Sequence, residues 1–387
     1  MEQGEQIDSP INYVIYLLTL YQRISPLAAA LLNSTFIQGF ELDDWHSEAP
    51  LHSNSILLPA LFATGEHLKK LGSPRPITGA DFLLALIVGY EVGPRVGLGL
   101  YGANVLTKGW HSGAIFGPAA AAAAASKMMG LPAGQVEDAI GIACTQAGGL
   151  MSAQFESEVK RMQHGFASRN GLLGALLARG GYVGIKKVFE RTYGGYLTMF
   201  SQGSGRDPQY LEKEISKGLG TVWKISSIRV KPYAAMAGTH NTVDCIRALQ
   251  AREPGKMKDL DSITSIKIEM AEAAYHHGGW KAERPLTSTG AQMSNSYVGA
   301  TQLVDGQVLP PQFSHHSLDR DAVWNLVDKT TCQDTAEFAG TYAQRVTIHF
   351  KDESSLVPGI ANAQRCRTRD VEPGDFGKVE VSRTRAH

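Results

Sequence analysis

The chain has 387 residues, with 37 basic and 37 acidic side chains. That length gives room for two domains with sizeable cores, and a formal charge of zero excludes a general attraction for nucleic acid or an anionic membrane surface. The four cysteines (Cys144, Cys245, Cys332 and Cys366) are scattered with no C-x-x-C pair, which argues for a reduced compartment and against a zinc knuckle or iron–sulfur cluster.

The first apolar run, "INYVIYLLTLY" at residues 11–21, is too short to span a bilayer. Glu2, Glu5 and Asp8 precede it without a Lys or Arg, unlike a secretory or mitochondrial leader. The expectation is a buried helix in a cytoplasmic protein. "ELDDWHSEAPLHSNS", residues 41–55, then packs Glu41, Asp43, Asp44, Glu48, His46 and His52 into twelve residues. Taken alone, the cluster fits a polar loop, an acid/base site or a metal site. It has neither H-E-x-x-H nor EF-hand spacing, and no second carboxylate–histidine knot follows, so no metal is expected.

Helix then follows helix. "SNSILLPALFATGEHLKKLG" carries capping serines, helical spacing and a terminal Gly72. "GADFLLALIVGYEVGPRVG" is apolar nearly all round and is expected to be buried. Its end, Gly97-Leu98-Gly99-Leu100-Tyr101-Gly102, matches G-x-G-x-x-G. A helix precedes it, however, and polyalanine stands where the acid of a dinucleotide site belongs, so these read as turn glycines. "TKGWHSGAIFGP" sets His111 in a Gly-rich break before the alanine helix, near N-terminal amides that favour anions. "SEVKRMQHGFASRNG" puts Lys160, Arg161 and His164 at the entry of a further helix. No alternating strand pattern appears in this half. Three such breaks, each before a tight helix, predict a cationic cleft walled by helices, with carboxylates setting histidine protonation.

The character changes near Trp223. "WKISSIRVKPY", "SITSIKIEM" and "YAQRVTIHFKDES" alternate and are β-branched, as strands are. "GTHNTVDCIRALQAR" and "AQMSNSYVGATQLVDG" between them are helical by period. The chain is therefore expected to be mainly α: an all-α helical domain over residues 1–222, a smaller α/β lid domain over 223–357, and an irregular, charged tail over 358–387. The pairs His276-His277 and His315-His316 read as loop residues without a role.

Several stretches, in this order, resemble the MmgE/PrpD family and, within it, the fungal cis-aconitate decarboxylase branch. They include "NSTFIQGFELDDWHSEAPLHSNSILLPALFA", "GWHSGAIFGPAAAAAAASKMMGL", "VKRMQHGFASRNGLLGALLARGGY" and "ERPLTSTGAQMSNSYVGATQLVDGQ". The resemblance covers residues 25–355. It implies a carboxy-lyase that needs no cofactor, a small tricarboxylate substrate, a homodimer, and a helical domain with an α/β lid. Against the family, both chain ends are expected to be shortened.

The resemblance also implies roles. His52 would donate a proton, Asp43 and Asp44 would orient it, and His111 and Lys160 would complete the catalytic group by holding carboxylates. Lys231, His240, Arg161 and His46 would be substrate-binding. Met236 stands where animal relatives carry a histidine; it either lines the pocket for an alkyl group or only packs the first turn of the lid helix. The rival readings are a 2-methylcitrate-type dehydratase, and an inactive paralogue that pairs with a full-length relative.

Overall fold

The computed structural model describes residues 24–73 and 76–358. The helix expected over residues 11–21 and nearly all of the expected tail, with Cys366, lie outside the described residues.

The larger domain is built from α1 (Pro26–Gly39), α2 (Ser53–Lys70), α3 (Gly79–Gly99), α4 (Asn104–Thr107), α5 (Ser112–Met129), α6 (Ala133–Cys144), α7 (Val159–Arg179) and α8 (Tyr196–Phe200). Local chemistry fixes the ends. Ser25 caps α1 by accepting from the Ala28 amide at 3.3 Å. Thr78 and Asp81 form a reciprocal capping box on α3. Gly130 ends α5 in the left-handed conformation, φ 71°, which a residue without Cβ adopts freely.

The alanine helix α5 is the hub. Ala119 to Ala125 are all buried, with α2, α3, α6 and α7 packed around them. Small side chains on both partners allow close approach: a Cβ on Gly171 of α7 would stand 2.3 Å from the Ala121 methyl. Alanine also has the highest helix propensity, so the sequence that packs best here is also the one that coils best.

Two expectations need correction. α3 is not buried all round, because Leu83 and Leu84 are exposed. It turns its glycines inward instead: a Cβ on Gly97 would meet Ala49 at 2.7 Å, and one on Gly102 would meet the Glu48 carbonyl at 2.0 Å. The apparent dinucleotide motif thus seats the loop around residues 48–49. By length and composition α3 alone among the described residues passes as a membrane span, yet half of that window is buried in the protein. Second, a strand does enter this half. β1 (Asp44–His46) pairs antiparallel with β2 (Ile228–Val230), Asp44 opposite Val230 and His46 opposite Ile228. Three residues are too few for alternation to show, and the partner lies in the stretch expected to join the lid sheet.

The smaller domain follows β2. It runs through α9 (His240–Arg252), β3 (Ile263–Met270), α10 (Glu272–Gly278), α11 (Ser288–Met293), α12 (Asn295–Asp305), α13 (Asp321–Val327), β4 (Thr330–Asp334), β5 (Gln344–Phe350) and β6 (Ser355–Leu356). The sheet order is β4-β3-β5-β6, with β3–β4 parallel and the other pairs antiparallel. One core joins Val243, Ile246 and Leu249 of α9, Tyr297 and Val298 of α12, and Ile266, Ile268, Val346 and Ile348 of the sheet. Each such side chain, fully buried, contributes about 1.5–3 kcal/mol.

Candidate active site

The β1–β2 pairing brings distant residues together. The Lys231 amide continues the ribbon by donating to the Asp43 carbonyl at 3.1 Å. The Lys231 ammonium then lies 3.1 Å from the Asp43 carboxylate and also bonds Glu41. Glu41 follows the end of α1 in the left-handed region, φ 49°, at a cost of roughly 1–2 kcal/mol for a residue with a side chain. That turn buries its carboxylate among Lys160 and Arg161 at the start of α7, Lys231, and the Gln38 amide at 3.1 Å. Burial pushes the Glu41 carboxyl up, but Lys160, Lys231 and Arg161 more than offset this and hold it well below the usual range. Burial pulls the Lys160 ammonium down to about 8 despite Glu41. Lys231 is raised, because Asp43 and Glu41 outweigh its burial. Arg161 is spent on Gln38, Glu41 and Gln292.

Beside this ion cluster stands a wall of imidazoles. His52 immediately precedes α2, His111 immediately precedes α5, and His164 lies in the second turn of α7. Their rings form a chain, with centroids 5.2 Å apart for His52–His164 and 5.1 Å for His111–His164. Gly113 permits it, since a Cβ there would lie 2.4 Å from His164 Nε2. His52 Nδ1 donates to the Asp44 carbonyl at 2.8 Å, with the Asp43 carboxylate 3.1 Å away. That arrangement fixes a proton on Nδ1 and leaves Nε2 facing away from both partners. His164 Nδ1 pairs with Ser55 Oγ at 2.7 Å. Burial first, then neighbouring His111, His52 and Lys160, pushes His164 well below the ordinary histidine range; burial with Lys160 and His52 does the same to His111.

The structure thus gathers His52, Asp43, His111, Lys160, Arg161 and Lys231 at one place. Asp44 acts there through its carbonyl. Its carboxylate accepts from Tyr90 Oη at 2.6 Å and from the Asn54 amide at 3.0 Å, and burial raises its pKa to about 6. Two expected substrate-binding residues are engaged by backbone carbonyls. His46 is fully buried, accepts from the Ala49 amide at 3.0 Å on Nδ1, and donates through Nε2 to the Lys224 carbonyl at 3.1 Å. It staples the loop. His240 is 3% exposed, bonds the Ala235 carbonyl at 3.1 Å and lies edge-on to Tyr233. Arg161 and Lys231 are likewise buried in internal pairs, so they hold the site rather than offer free donors. Met236 is buried, with its methyl against the Cα positions of Gly238 and Gly278, and does not open a channel.

Two roles carried no signal in the sequence: Glu41 as the hub of the cations and Gln292 as the Arg161 partner. His164, read with Lys160 and Arg161 at the helix entry, is the middle ring of the wall. Among the described residues no group of three or more His, Cys, Asp or Glu is arranged to hold a metal ion. A cavity of about 350 Å³ in the smaller domain, lined by Gln250, Met257, Lys258 and Leu303, contains none of the cluster.

The MmgE/PrpD N-terminal domain matches residues 14–207 and the MmgE/PrpD C-terminal domain matches residues 233–369. The chain is 53% identical over 346 residues to a cis-aconitate decarboxylase-like protein, oryM, of Aspergillus oryzae, covering 88% of this chain and 72% of that one. It is 49% identical over 348 residues to the cis-aconitate decarboxylase of Aspergillus terreus, covering 88% and 71%. The human cis-aconitate decarboxylase is 29% identical over 314 residues, covering 79% and 61%.

Proposed function

The chain belongs to the MmgE/PrpD family, and from that premise we propose that it is a carboxy-lyase converting cis-aconitate, or an alkyl-substituted aconitate, to itaconate or the alkyl-itaconate. The observation that carries this reading is the His52–Asp43 pair standing between a cation cluster and two neutral histidines, in a chain about half identical to fungal cis-aconitate decarboxylases.

The chemistry matches those groups. Cis-aconitate carries a CH2–COO⁻ next to its double bond. When the C–COO⁻ bond breaks, its electron pair forms a new C=C, and the old alkene pair moves to the far carbon. That carbon takes one proton, and the products are itaconate and CO2. The substrate is its own electron sink. It needs a positioned acid over one carbon, and His52 Nε2 is free for that because Nδ1–H is held by Asp44 and Asp43. Lys160 and the amides opening α5 supply the positive field for the remaining carboxylates. Burial of His111 and His164 keeps water from the leaving carboxylate.

The protein acts as a homodimer in the cytoplasm, in a pathway of secondary metabolism. Phe62 of α2 and Leu83 and Leu84 of α3 form an exposed apolar surface that supports pairing through the helical domain. Light scattering checks it, and a monomer at micromolar concentration contradicts it. The reaction is tested by incubating the purified protein with cis-aconitate and following itaconate by proton NMR. Water addition or loss without CO2 marks a dehydratase instead.

A further inference from the structure

One imidazole near the cluster has no place in the reaction described so far. His277 belongs to α10 of the smaller domain, beside the site rather than within the helical wall. It is half-buried and makes no hydrogen bond to any described residue. Lys160, Glu41 and His52 all act on its ring, and it acts in turn on His111. Its neighbour His276 points elsewhere: that side chain is 71% exposed and lies 3.7 Å from Glu272.

The end of α10 is held firmly. The Gly278 carbonyl accepts from Asn295 Nδ2 at 3.2 Å, and Asn295 is itself fixed by Thr242 Oγ1 at 2.8 Å. A Cβ on Gly278 would stand 2.5 Å from the Met236 methyl and 2.6 Å from the Met293 carbonyl, so the backbone fits only without one. On the far side Trp280 meets Phe155 of the larger domain edge-on, with centroids 5.6 Å apart. The segment that carries His277 is therefore wedged at the boundary between the domains.

The imidazole wall of the larger domain has hydrogen-bonding capacity to spare. His111 Nδ1 and His164 Nε2 are buried without a partner, and His52 Nε2 bonds no described residue. A buried polar atom left unpaired costs free energy until something fills the space. The complement is an anion with several acceptor oxygens.

We propose that His277 is a substrate-binding residue, donating a hydrogen bond from its neutral imidazole to one carboxylate of a tricarboxylate seated against His52, His111 and Lys160. This deepens the decarboxylase reading and rests on it. Burial and the nearby Lys160 hold the ring at about 4, so at neutral pH it binds without adding charge. A neutral donor orients the carboxylate and leaves His52 as the proton source.

The test uses His277→Ala and His277→Gln in the full chain, with His276→Ala as control. Two quantities are read: KM and kcat for cis-aconitate, and calorimetric Kd for tricarballylate, a saturated tricarboxylate that cannot react. His277→Ala is expected to raise KM and Kd about 10- to 100-fold, the usual effect of losing a hydrogen bond to a charged group, with a smaller change in kcat. His277→Gln recovers part of the binding, and His276→Ala stays within about twofold. KM and Kd within about twofold of wild type in His277→Ala overturn the proposal. If His277→Ala does not fold, His277→Phe fills the volume without a donor and carries the same comparison. If the wild-type protein does not turn over cis-aconitate, the reaction is wrong, and the tricarballylate Kd still decides His277.

Discussion

Two faces of one site are kept in opposite states. In the ion cluster every charge is answered: Glu41 is held by Lys160, Arg161 and Lys231, and Asp43 by Lys231 and His52. Along the imidazole wall nitrogens are left unused, at His111 Nδ1 and His164 Nε2 among the buried ones. Buried ions without partners would be expelled or neutralised, so the cluster must be complete before substrate arrives. Neutral imidazoles tolerate waiting, because an unpaired ring nitrogen costs far less than an unpaired charge. On the proposed reading the cluster is the scaffold and the field, and the wall is where an acid meets the substrate.

That division is broken most sharply at His52. His52→Ala should lower kcat by ~10²–10⁴-fold, the scale of a positioned general acid, while the melting temperature changes little, because the ring is partly exposed and its loss leaves Asp43 paired with Lys231. Steady-state kinetics with calorimetry check both halves. Near-normal turnover would place the proton donor elsewhere on the wall.

The opposite pattern is expected one residue away in space. Lys231→Met removes a fully buried cation and leaves the buried Asp43 with His52 alone, so it should cost roughly 3–5 kcal/mol of stability. Urea unfolding measures this. Adding Asp43→Asn to Lys231→Met should recover part of the loss, since it removes the carboxylate that has lost its lysine, while Glu41 keeps Lys160 and Arg161. A single variant as stable as wild type would show that the cluster is not the scaffold.

The smallest effect is the pH dependence of stability. Burial holds His46, His240 and His277 at about 4, against 6.5 for the unfolded chain. The folded protein therefore binds fewer protons in that window, and stability is lost as pH falls from 6.5 toward 4. His111 and His164, lowered further, add to the loss. Asp44, raised from 3.8 to about 6, gains stability as pH falls through its own window and opposes them as a single group. Thermal melting should show a steady fall from pH 7 to pH 5, and a flat or rising profile would mean that the histidines titrate normally when folded.

Much of this was legible in the sequence, and the illegible parts share a cause. Helix-entry breaks at His111 and Lys160 were readable because glycine, cap and apolar period are local. The lid strands at Ile263–Met270 and Gln344–Phe350 were readable because their alternation is long enough. Glu41 was not, because nothing in a run of four carboxylates says which one turns inward. That is decided by its left-handed φ and by Lys231, 190 residues away, delivered through a three-residue ribbon. His277 sits in a polar stretch that reads as loop, and only the wedge of Gly278 against Asn295 and Met293 aims it. His46 and His240 show the converse. A histidine inside a motif gives no sign of whether its nitrogens are already taken, and here the backbone takes both of those of His46 and Nε2 of His240.

The most direct test of the account is turnover of cis-aconitate in D2O with no added metal or cofactor, following products by NMR and CO2 release together. The account predicts itaconate and CO2 in equal amounts, with one deuterium on the saturated CH2 carbon of itaconate and none on its terminal alkene carbon, and almost no product from His52→Ala. Deuterium on the alkene carbon, hydration products without CO2, or undiminished product from His52→Ala would contradict it.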